Sequence, residues 1–242
     1  MRISRVYQSI ALHSGETIEL DDDGAHYVRT VLRLKKASPI ILFNGQGGEY
    51  TGTILESSRK RVAIDINDWI ARDVESNLHV KFGLAISKGS RMDFAIQKSV
   101  ELGVNDITPL VTERSVVRLT DDSKQQKIRH WQKIAQHAAE QSGRTLVPAI
   151  NEVFRLADWI KNQAGLKIFL DPRAQKKLTE LQPEQEKMIL LTGPEGGFSE
   201  SERDTAKRSG FIPVQLGSRI LRSETAALTA LAAAQTLWGD YG

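Results

Sequence analysis

The chain has 242 residues, of which 40% are hydrophobic and 26% are charged, and these values suit one large or two modest globular domains. Its formal net charge of +3 permits an anionic partner but does not identify one. The absence of cysteine excludes disulfides, thiolate zinc sites and cysteine nucleophiles. No apolar run approaches the roughly 20 residues that cross a bilayer, and the N-terminal MRISRVYQS lacks the apolar core of a signal peptide, so we expect a soluble, cytoplasmic protein.

The first 70 residues have the pattern of short strands separated by turns. Arg61–Ile66 alternates polar and apolar residues, Pro39–Phe43 is an apolar run, and a glycine-rich turn leads to Glu49–Leu55. This spacing predicts a small barrel, interrupted by one helix over Ala25–Leu34. The polar segment Ala71–Asn77 is the predicted domain boundary.

Four arginines in this part are candidates for a cationic surface that binds phosphates: Arg2, Arg5, Arg29 and Arg33. Arg29 and Arg33 are four residues apart and therefore share one side of the predicted helix. From the residues alone, four separately solvated arginines are the preferred interpretation.

From Leu78 onward the pattern becomes α/β. Leu78–Ser87, Ile107–Leu110, Lys167–Leu170 and Met188–Leu191 are predicted strands. Predicted helices lie between them, and the first of these ends near Gly103. An apolar, alanine-rich helix over Thr225–Leu237 closes the chain, and its many small residues favour close packing, including against a second subunit.

The stretch Met188–Glu202 contains the most informative local pattern. A short apolar strand is followed by the glycine-rich turn Thr192–Gly197, and Ser199 and Glu202 then have the spacing of a capping box that begins a helix. A strand, a glycine turn and a helix N-terminus form the arrangement with which α/β proteins hold nucleotide-like ligands. A purely structural turn has the same pattern.

A similar stretch follows at Gln215–Ala227. Leu216-Gly217 follows a short strand, Ser223-Glu224-Thr225 begins the terminal helix, and Arg219–Arg222 forms an extended connection between them. Two such loops on neighbouring strands would hold an adenine and a ribose through main-chain contacts and leave Arg222 to address a substrate. A salt bridge from Arg222 to Glu224 or Glu195 is the alternative interpretation.

The usual signatures of other enzyme classes do not occur in the sequence. There is no G-x-x-x-x-G-K-[ST], no G-x-G-x-x-G after a strand, no H-E-x-x-H and no G-x-S-x-G. His130 and His137 lie seven residues apart without a third ligand, so no metal site is predicted.

Taken together, five segments closely resemble the RsmE-type family of bacterial methyltransferases, which belong to the SPOUT superfamily. They are HYVRTVLR (26–33), SKGSRMDFAIQKSVELGV (87–104), EQSGR (140–144), LLTGPEGGFSESE (190–202) and LGSRILRSETAAL (216–228). The last two are specific in combination. Ser218 and Ser223 depart from the family pattern, in which Pro and Thr are frequent.

The resemblance implies a fold that spacing and periodicity do not show. It implies a PUA-like RNA-binding β-barrel over residues 1–72 and a SPOUT-type α/β domain with a trefoil knot over residues 73–242. It further implies a homodimer and S-adenosylmethionine as the methyl donor. Carried over position by position, the donor pocket consists of Leu170, Leu191, Gly193, Glu195, Gly196, Leu216, Gly217, Ile220, Leu221, Thr225 and Ala226.

The implied reaction is methylation of N3 of a uridine in 16S ribosomal RNA, near the decoding centre and on the assembled small subunit. Arg222 would stabilise charge that develops on the uracil oxygens, and Glu195 or Glu224 would accept the N3 proton or hold Arg222. Lys88 and Arg91 join the four arginines named above as candidate RNA contacts. A SPOUT enzyme acting on another target, such as a ribose 2′-hydroxyl, and a non-catalytic RNA-binding or ribosome-assembly protein are the alternatives.

Overall fold

The computed structural model describes residues 3–59, 61–115, 120–183 and 186–242. The chain forms two compact units. Unit 1 comprises Met1–Glu75 and Ala139–Val147, and unit 2 comprises Ser76–Ala138 and Pro148–Gly242. The division into domains at 72/73 stays a prediction, and no local sequence pattern indicates that residues 139–147 belong to the first unit.

Unit 1 is a small β structure with one short helical segment. Its elements are β1 (Ser4–Tyr7), β2 (Thr17–Glu19), α1 (Asp22–His26), a π-helix (Tyr27–Val31), β3 (Pro39–Phe43), β4 (Glu49–Ser57) and β5 (Val62–Ile70). Within the described residues these strands form one sheet in the order β1-β3-β4-β5-β2. β1 is parallel to β3, and the other pairs are antiparallel.

The core of unit 1 confirms the strands predicted from alternation. Val62, Ile64 and Ile66 are fully or almost fully buried in one apolar cluster, as the period of two requires. The predicted helix over Ala25–Leu34 is wrong in its bounds, because helical structure begins at Asp22, where Asp21 caps the first turn, and becomes a π-helix at Tyr27.

Buried ion pairs attach residues 139–147 to the rest of unit 1. Arg5 pairs with Glu49, which also accepts a hydrogen bond from Arg72 at 3.1 Å. The Nε atom of Arg144 donates to Glu75 at 2.9 Å, and Arg5 donates to the Arg144 carbonyl at 2.9 Å. The residues of this network are far apart in sequence, so no local pattern predicts it.

Unit 2 alternates strands and helices. Its elements are β6 (His79–Ala85), α2 (Ser90–Glu101), β7 (Asp106–Val111), α3 (Asp121–Ser142, which ends within unit 1), β8 (Ala149–Ile150), β9 (Phe154–Arg155), α4 (Leu156–Trp159), β10 (Leu166–Leu170), β11 (Lys187–Thr192), α5 (Glu200–Arg208), β12 (Ile212–Val214) and α6 (Ser223–Trp238), with 3-10 turns at Ile160–Asn162 and Leu178–Glu180.

The strands of unit 2 form a sheet in which every described pair is parallel. Their order is β12-β10-β11-β6-β7-β8, and β9 also pairs with β7. One apolar cluster includes Leu191, Phe198 and Phe211 and covers a face of the sheet. α2 and α6 pack against each other. Among the described residues, no helix has the length and apolar character that a membrane span requires.

A buried glutamine anchors α6. Gln235 is fully buried, accepts a hydrogen bond from Ser76 Oγ at 2.7 Å and donates to the Leu102 carbonyl at 3.0 Å. Gly103, the predicted end of α2, has φ of +85°, and a Cβ atom there would lie 2.5 Å from Gln235 Nε2. Glycine is therefore required at this position both for its backbone conformation and for the packing of α6.

Candidate functional site

Three loops lie at one edge of the unit 2 sheet. Because β10, β11 and β12 are parallel, the loops that follow them leave the same carboxyl edge, where α/β proteins bind ligands. The prediction that the two glycine-bearing turns lie on neighbouring strands is wrong, because β10 lies between β11 and β12. The loop after β10, which begins at Asp171, is therefore the middle part of the candidate site.

The glycine turn after β11 is built as predicted. Gly197 has φ of +65° and donates its N–H to the Pro194 carbonyl at 2.8 Å, which closes the turn. Ser199 Oγ accepts from the Glu202 amide at 3.1 Å, while Glu202 accepts from the Ser199 amide at 2.9 Å. These reciprocal bonds confirm the capping box at the start of α5.

Two arginines hold the outer side of this glycine turn. Arg114 donates to the Gly196 carbonyl at 2.9 Å, and Arg91 forms a 3.0 Å ion pair with Glu195. Gly193 packs against the ring of Phe198, which is buried in the apolar cluster. The turn is thus held from inside by packing and from outside by polar contacts.

The loop after β12 is held only at its beginning. The Gln215 amide donates to the Lys176 carbonyl at 3.0 Å, and the Gln215 side chain donates to the Pro172 carbonyl at 3.1 Å. Residues 216–221 form no backbone hydrogen bond with the described part of the chain. Their amides and carbonyls are free to bind a ligand, as the sequence predicted.

Asp171 joins the middle loop to both of its neighbours in the fold. Its amide donates to the Val214 carbonyl at the end of β12 at 3.0 Å, and its carboxylate lies 2.9 Å from Arg203 Nε on α5. The Nε–H bond does not point at this oxygen, so the contact is an ion pair rather than a hydrogen bond. Asp171 and Arg203 were not among the predicted site residues, although an aspartate directly after a predicted strand was an available signal.

A buried hydroxyl without a partner lies at the end of β11. Thr192 is 1% exposed, and its Oγ1 has no hydrogen-bond partner in the residues that the structure describes. An unpaired buried hydroxyl carries a desolvation cost of about 1–3 kcal/mol, so a polar ligand that bonded to it would recover stability. Thr192 begins the predicted glycine turn, but no role was predicted for its side chain.

The three predicted catalytic side chains form no hydrogen bond or ion pair with one another in the described residues. Arg222 is exposed and forms no ion pair or hydrogen bond through its side chain within the described residues. Glu195 pairs with Arg91, and Glu224 is half-buried with Ser223 Oγ at 3.4 Å. The alternative in which Arg222 forms a structural salt bridge with Glu195 or Glu224 is therefore wrong for this chain.

The predicted donor-binding residues fall into two classes by exposure. Leu191 is fully buried in the apolar cluster, and its contact with the donor stays a prediction. The other members lie at the end of β10, on the loops after β11 and β12, or on the first turn of α6, and they are exposed or half-buried: Leu170, Gly193, Glu195, Gly196, Leu216, Gly217, Ile220, Leu221, Thr225 and Ala226. Ile220 is 89% exposed.

The predicted RNA-binding arginines of unit 1 that the structure describes differ in their environments. Arg5 is buried against Glu49, so it is not available to phosphates and its prediction is wrong. Arg29 donates to main-chain carbonyls, Arg33 is exposed, and Arg2 lies outside the described residues.

In unit 2, the predicted RNA contacts Lys88 and Arg91 flank the start of α2. Both are exposed, and Arg91 reaches Glu195 of the glycine turn. In the described residues, no group of three or more His, Cys, Asp or Glu side chains could hold a metal ion.

Comparison with protein-family models gives two matches. Residues 74–235 match an RNA methyltransferase domain, and residues 20–67 match an RNA methyltransferase PUA domain. The first match covers more than half of the chain and includes all three loops.

Similar proteins span the whole chain. The ribosomal RNA small subunit methyltransferase E of Buchnera aphidicola (Acyrthosiphon pisum strain) is 35% identical over 242 residues, which are 99% of this chain and 96% of that protein. A methyltransferase of Legionella pneumophila, solved with bound S-adenosylmethionine, has a TM-score of 0.96 at 37% identity, covering 99% of this chain and 100% of that one. The ribosomal RNA small subunit methyltransferase E of Neisseria gonorrhoeae, also solved with S-adenosylmethionine, has a TM-score of 0.92 at 36% identity and covers both chains fully.

Proposed function

Because the chain belongs to the family of the ribosomal RNA small subunit methyltransferases E, we propose that it methylates N3 of a uridine in 16S ribosomal RNA with S-adenosylmethionine as the donor. The observation that carries the proposal is the convergence of three loops at one sheet edge, one of which has unpaired main-chain groups over residues 216–221. The substrate is a base in the assembled small subunit, and the place of action is the cytoplasm.

The residues present fit the donor. Free amides and carbonyls over residues 216–221 suit the hydrogen-bonding edge of an adenine and the hydroxyls of a ribose. The unpaired Thr192 hydroxyl supplies a further polar group, and the half-buried side chains of Leu170 and Leu216 supply apolar surface. When bound, S-adenosylmethionine supplies an electrophilic methyl group on a sulfonium centre.

The residues of the chain then act on the RNA base. The N3 proton of uridine must leave before N3 is a good nucleophile, and the anion spreads its charge onto the uracil oxygens. Arg222 is the N-cap residue of α6 and is exposed. Its guanidinium forms no ion pair with a carboxylate in the described part of the chain, so it is free to stabilise that charge. Positioning of N3 against the methyl group contributes up to the ~7–11 kcal/mol of well-oriented reactions.

Two carboxylates are candidates for accepting the N3 proton. Glu195 is held by Arg91, whereas Glu224 has no cationic partner in the described residues and lies two residues after Arg222. Glu195→Gln and Glu224→Gln distinguish them, because loss of the proton acceptor removes the rise of kcat with pH, whereas loss of a purely orienting group leaves that rise in place.

We further propose a homodimer and a knotted α/β domain. Ile220 and Leu237 are exposed by 89% and 43%, which a second subunit would cover, and light scattering measures the resulting mass. Gln215 pairs with Lys177, and α6 contacts the 3-10 turn at Leu178–Glu180, which supports passage of the C-terminal segment through the connection between β10 and β11. An experimental backbone trace whose closed path is not a trefoil would contradict the knot.

Three measurements test the enzymatic proposal. Calorimetry should show saturable binding of S-adenosylmethionine, which a non-catalytic RNA-binding protein would lack. Small ribosomal subunits from cells without this protein should accept a labelled methyl group, and mass spectrometry of the digested nucleosides should place it on N3 of uridine. A methyl group on a ribose 2′-hydroxyl would overturn the assignment of the target atom.

A further inference from the structure

The segment that follows the π-helix of unit 1 is a strained turn. Arg33 and Ala37 have φ of +54° and +67°, and they are two of the three non-glycine residues with positive φ in the described chain. Ala37 donates to the Ile54 carbonyl at 2.7 Å, and the Ile54 amide donates to the Ser38 carbonyl at 3.1 Å. Such strain persists only where the surrounding structure fixes the backbone, and it concentrates where ligands bind.

A second turn begins after β4, and its described residues Ser58 and Arg59 are held beside the first turn. Arg29 Nη1 donates to the carbonyls of Ser58 and Arg59 at 2.7 and 2.8 Å. The Ser57 hydroxyl donates to the Leu34 carbonyl at 3.1 Å, which joins the two turns directly. The guanidinium of Arg29 therefore serves the protein itself, and it holds in place the turn that carries Arg59.

Four cationic side chains project from these two turns. They are Arg33, Lys35, Lys36 and Arg59, and all four are exposed. None of them forms an ion pair within the described residues, whereas the neighbouring Arg61 pairs with Glu56 at 2.6 Å. The hydrogen bond from Arg61 lowers the pKa of Glu56 most, and Lys36 adds a smaller electrostatic effect. The negative charge of the Glu56 carboxylate is thus already paired with the cation of Arg61.

We infer that Arg33, Lys35, Lys36 and Arg59 form a phosphate-binding surface for the RNA backbone, here called the two-turn surface, and that Arg29 is a positioning residue for it. The inference rests on the proposed function in that the substrate is RNA. Cations on a fixed backbone lose less conformational entropy on binding than cations on a mobile loop. The match of residues 20–67 to an RNA methyltransferase PUA domain includes both turns and favours RNA over an acidic protein.

The test measures binding of the full-length protein to small ribosomal subunits as a function of salt. Each lost phosphate contact reduces the slope of log affinity against log salt by about 0.7–0.9, so Lys35→Ala/Lys36→Ala should reduce the slope by about 1.4–1.8 and weaken binding about tenfold at ~0.1 M salt. The matched control is Lys124→Ala/Lys161→Ala, which removes two lysines of unit 2 that pair with aspartates. A slope equal to that of the control would overturn the inference and leave an acidic protein as the partner to test.

A double-mutant cycle tests the role of Arg29. Arg59→Ala should reduce the salt slope by about 0.7–0.9, the value of one phosphate contact. Arg29→Ala should weaken RNA binding when it is made in the wild type, but it should cause no further loss when it is added to Arg59→Ala. Additive losses would return Arg29 to direct RNA contact, and melting temperatures identify any variant that fails to fold. If the protein binds RNA with the expected salt dependence but transfers no methyl group, only the proposed function is overturned. If Lys35→Ala/Lys36→Ala transfers the methyl group normally and its salt slope is unchanged, only the two-turn surface is overturned.

Discussion

Two strand–turn–helix segments of unit 2 have similar sequence patterns but differ in how their polar groups are used. In the segment that begins α5, Ser199, Glu202 and Arg203 are all bonded, and the Glu202 carboxylate also accepts from the Glu113 amide at 2.8 Å. In the segment that begins α6, Arg222 caps the helix without a side-chain hydrogen bond. In the first segment, here called the scaffold segment (residues 192–203), the polar groups stabilise the fold. In the second, the Arg222 side chain has no partner within the described residues and is available to a ligand.

The difference follows from which partners each segment meets. The first turn of α5 lies between the loop after β7, which contains Glu113, and the loop after β10, which contains Asp171. The side chains of Glu202 and Arg203 are therefore largely removed from solvent and need partners. The loop before α6 leaves the edge strand β12, and its charged residues, Arg219 and Arg222, are exposed to solvent.

The largest expected effect comes from removing the cation of the scaffold segment. Arg203→Leu leaves the Asp171 carboxylate buried without its partner, and we expect a loss of about 3–5 kcal/mol in the free energy of unfolding. Urea titration measures it. Adding Asp171→Asn should restore part of the loss, and Lys207→Leu, at an exposed position of the same helix, is the control. Equal stability of Arg203→Leu and wild type would remove the scaffold interpretation.

The second effect is on catalysis and not on stability. Arg222→Ala should lower methyl transfer about 100- to 1000-fold, since one donor to a developing oxyanion typically contributes about 2.7–4 kcal/mol. Because the side chain has no partner within the described chain, the melting temperature and the donor affinity should not change. Arg219→Ala, an exposed arginine of the same loop, is the matched control. Unchanged turnover in Arg222→Ala would show that this segment is not catalytic.

A third prediction concerns Thr192, whose buried hydroxyl at the start of the glycine turn has no hydrogen-bond partner within the described residues. Thr192→Val keeps the β-branched shape but removes the unpaired hydroxyl, so the free protein should gain about 1 kcal/mol while its affinity for S-adenosylmethionine falls about fivefold. Thermal unfolding and calorimetry measure the two changes. Thr192→Ser keeps the hydroxyl and should retain donor affinity. Tight donor binding by the valine variant would mean that the hydroxyl does not contact the ligand.

The smallest effect is expected at Asp106, the first residue of β7. It lies at the amino ends of the parallel strands, whereas both segments leave from the carboxyl ends. Burial raises the pKa of Asp106, so its favourable contribution is complete below the unfolded pKa of ~3.9 and is lost as pH rises through the folded pKa. Asp106→Asn never ionises, and it should melt about 2 °C higher than wild type at pH 7 but equally at pH 3. Methyl transfer should be unaffected. A variant that is less stable at pH 7 would contradict the sign.

Local patterns predicted the elements of the site well, because their causes are local. The capping box of Ser199 and Glu202 depends on a spacing of three residues, and the end of α2 at Gly103 depends on a positive φ. The strands β3, β5 and β11 follow from runs or alternation of apolar residues. The matched family then confirmed the fold class that the combined motifs implied.

What the sequence did not reveal depends on pairing between distant residues. Strand order is not encoded in any one strand, so the place of β10 between β11 and β12 was missed. Arg5 and Glu49 are 44 positions apart, and a solvated arginine looks the same as a buried, paired one in sequence. The same holds for Arg203 and Asp171, which are neighbours only after the sheet has formed.

The place of β10 in the sheet has a consequence for ligand size. Adjacent strands lie about 4.7–4.9 Å apart, so the two glycine-bearing turns start from strands separated by roughly 9–10 Å. A ligand that contacts both turns must therefore extend across the carboxyl end of β10. The loop that begins at Asp171 is thus a part of any site that the two turns share.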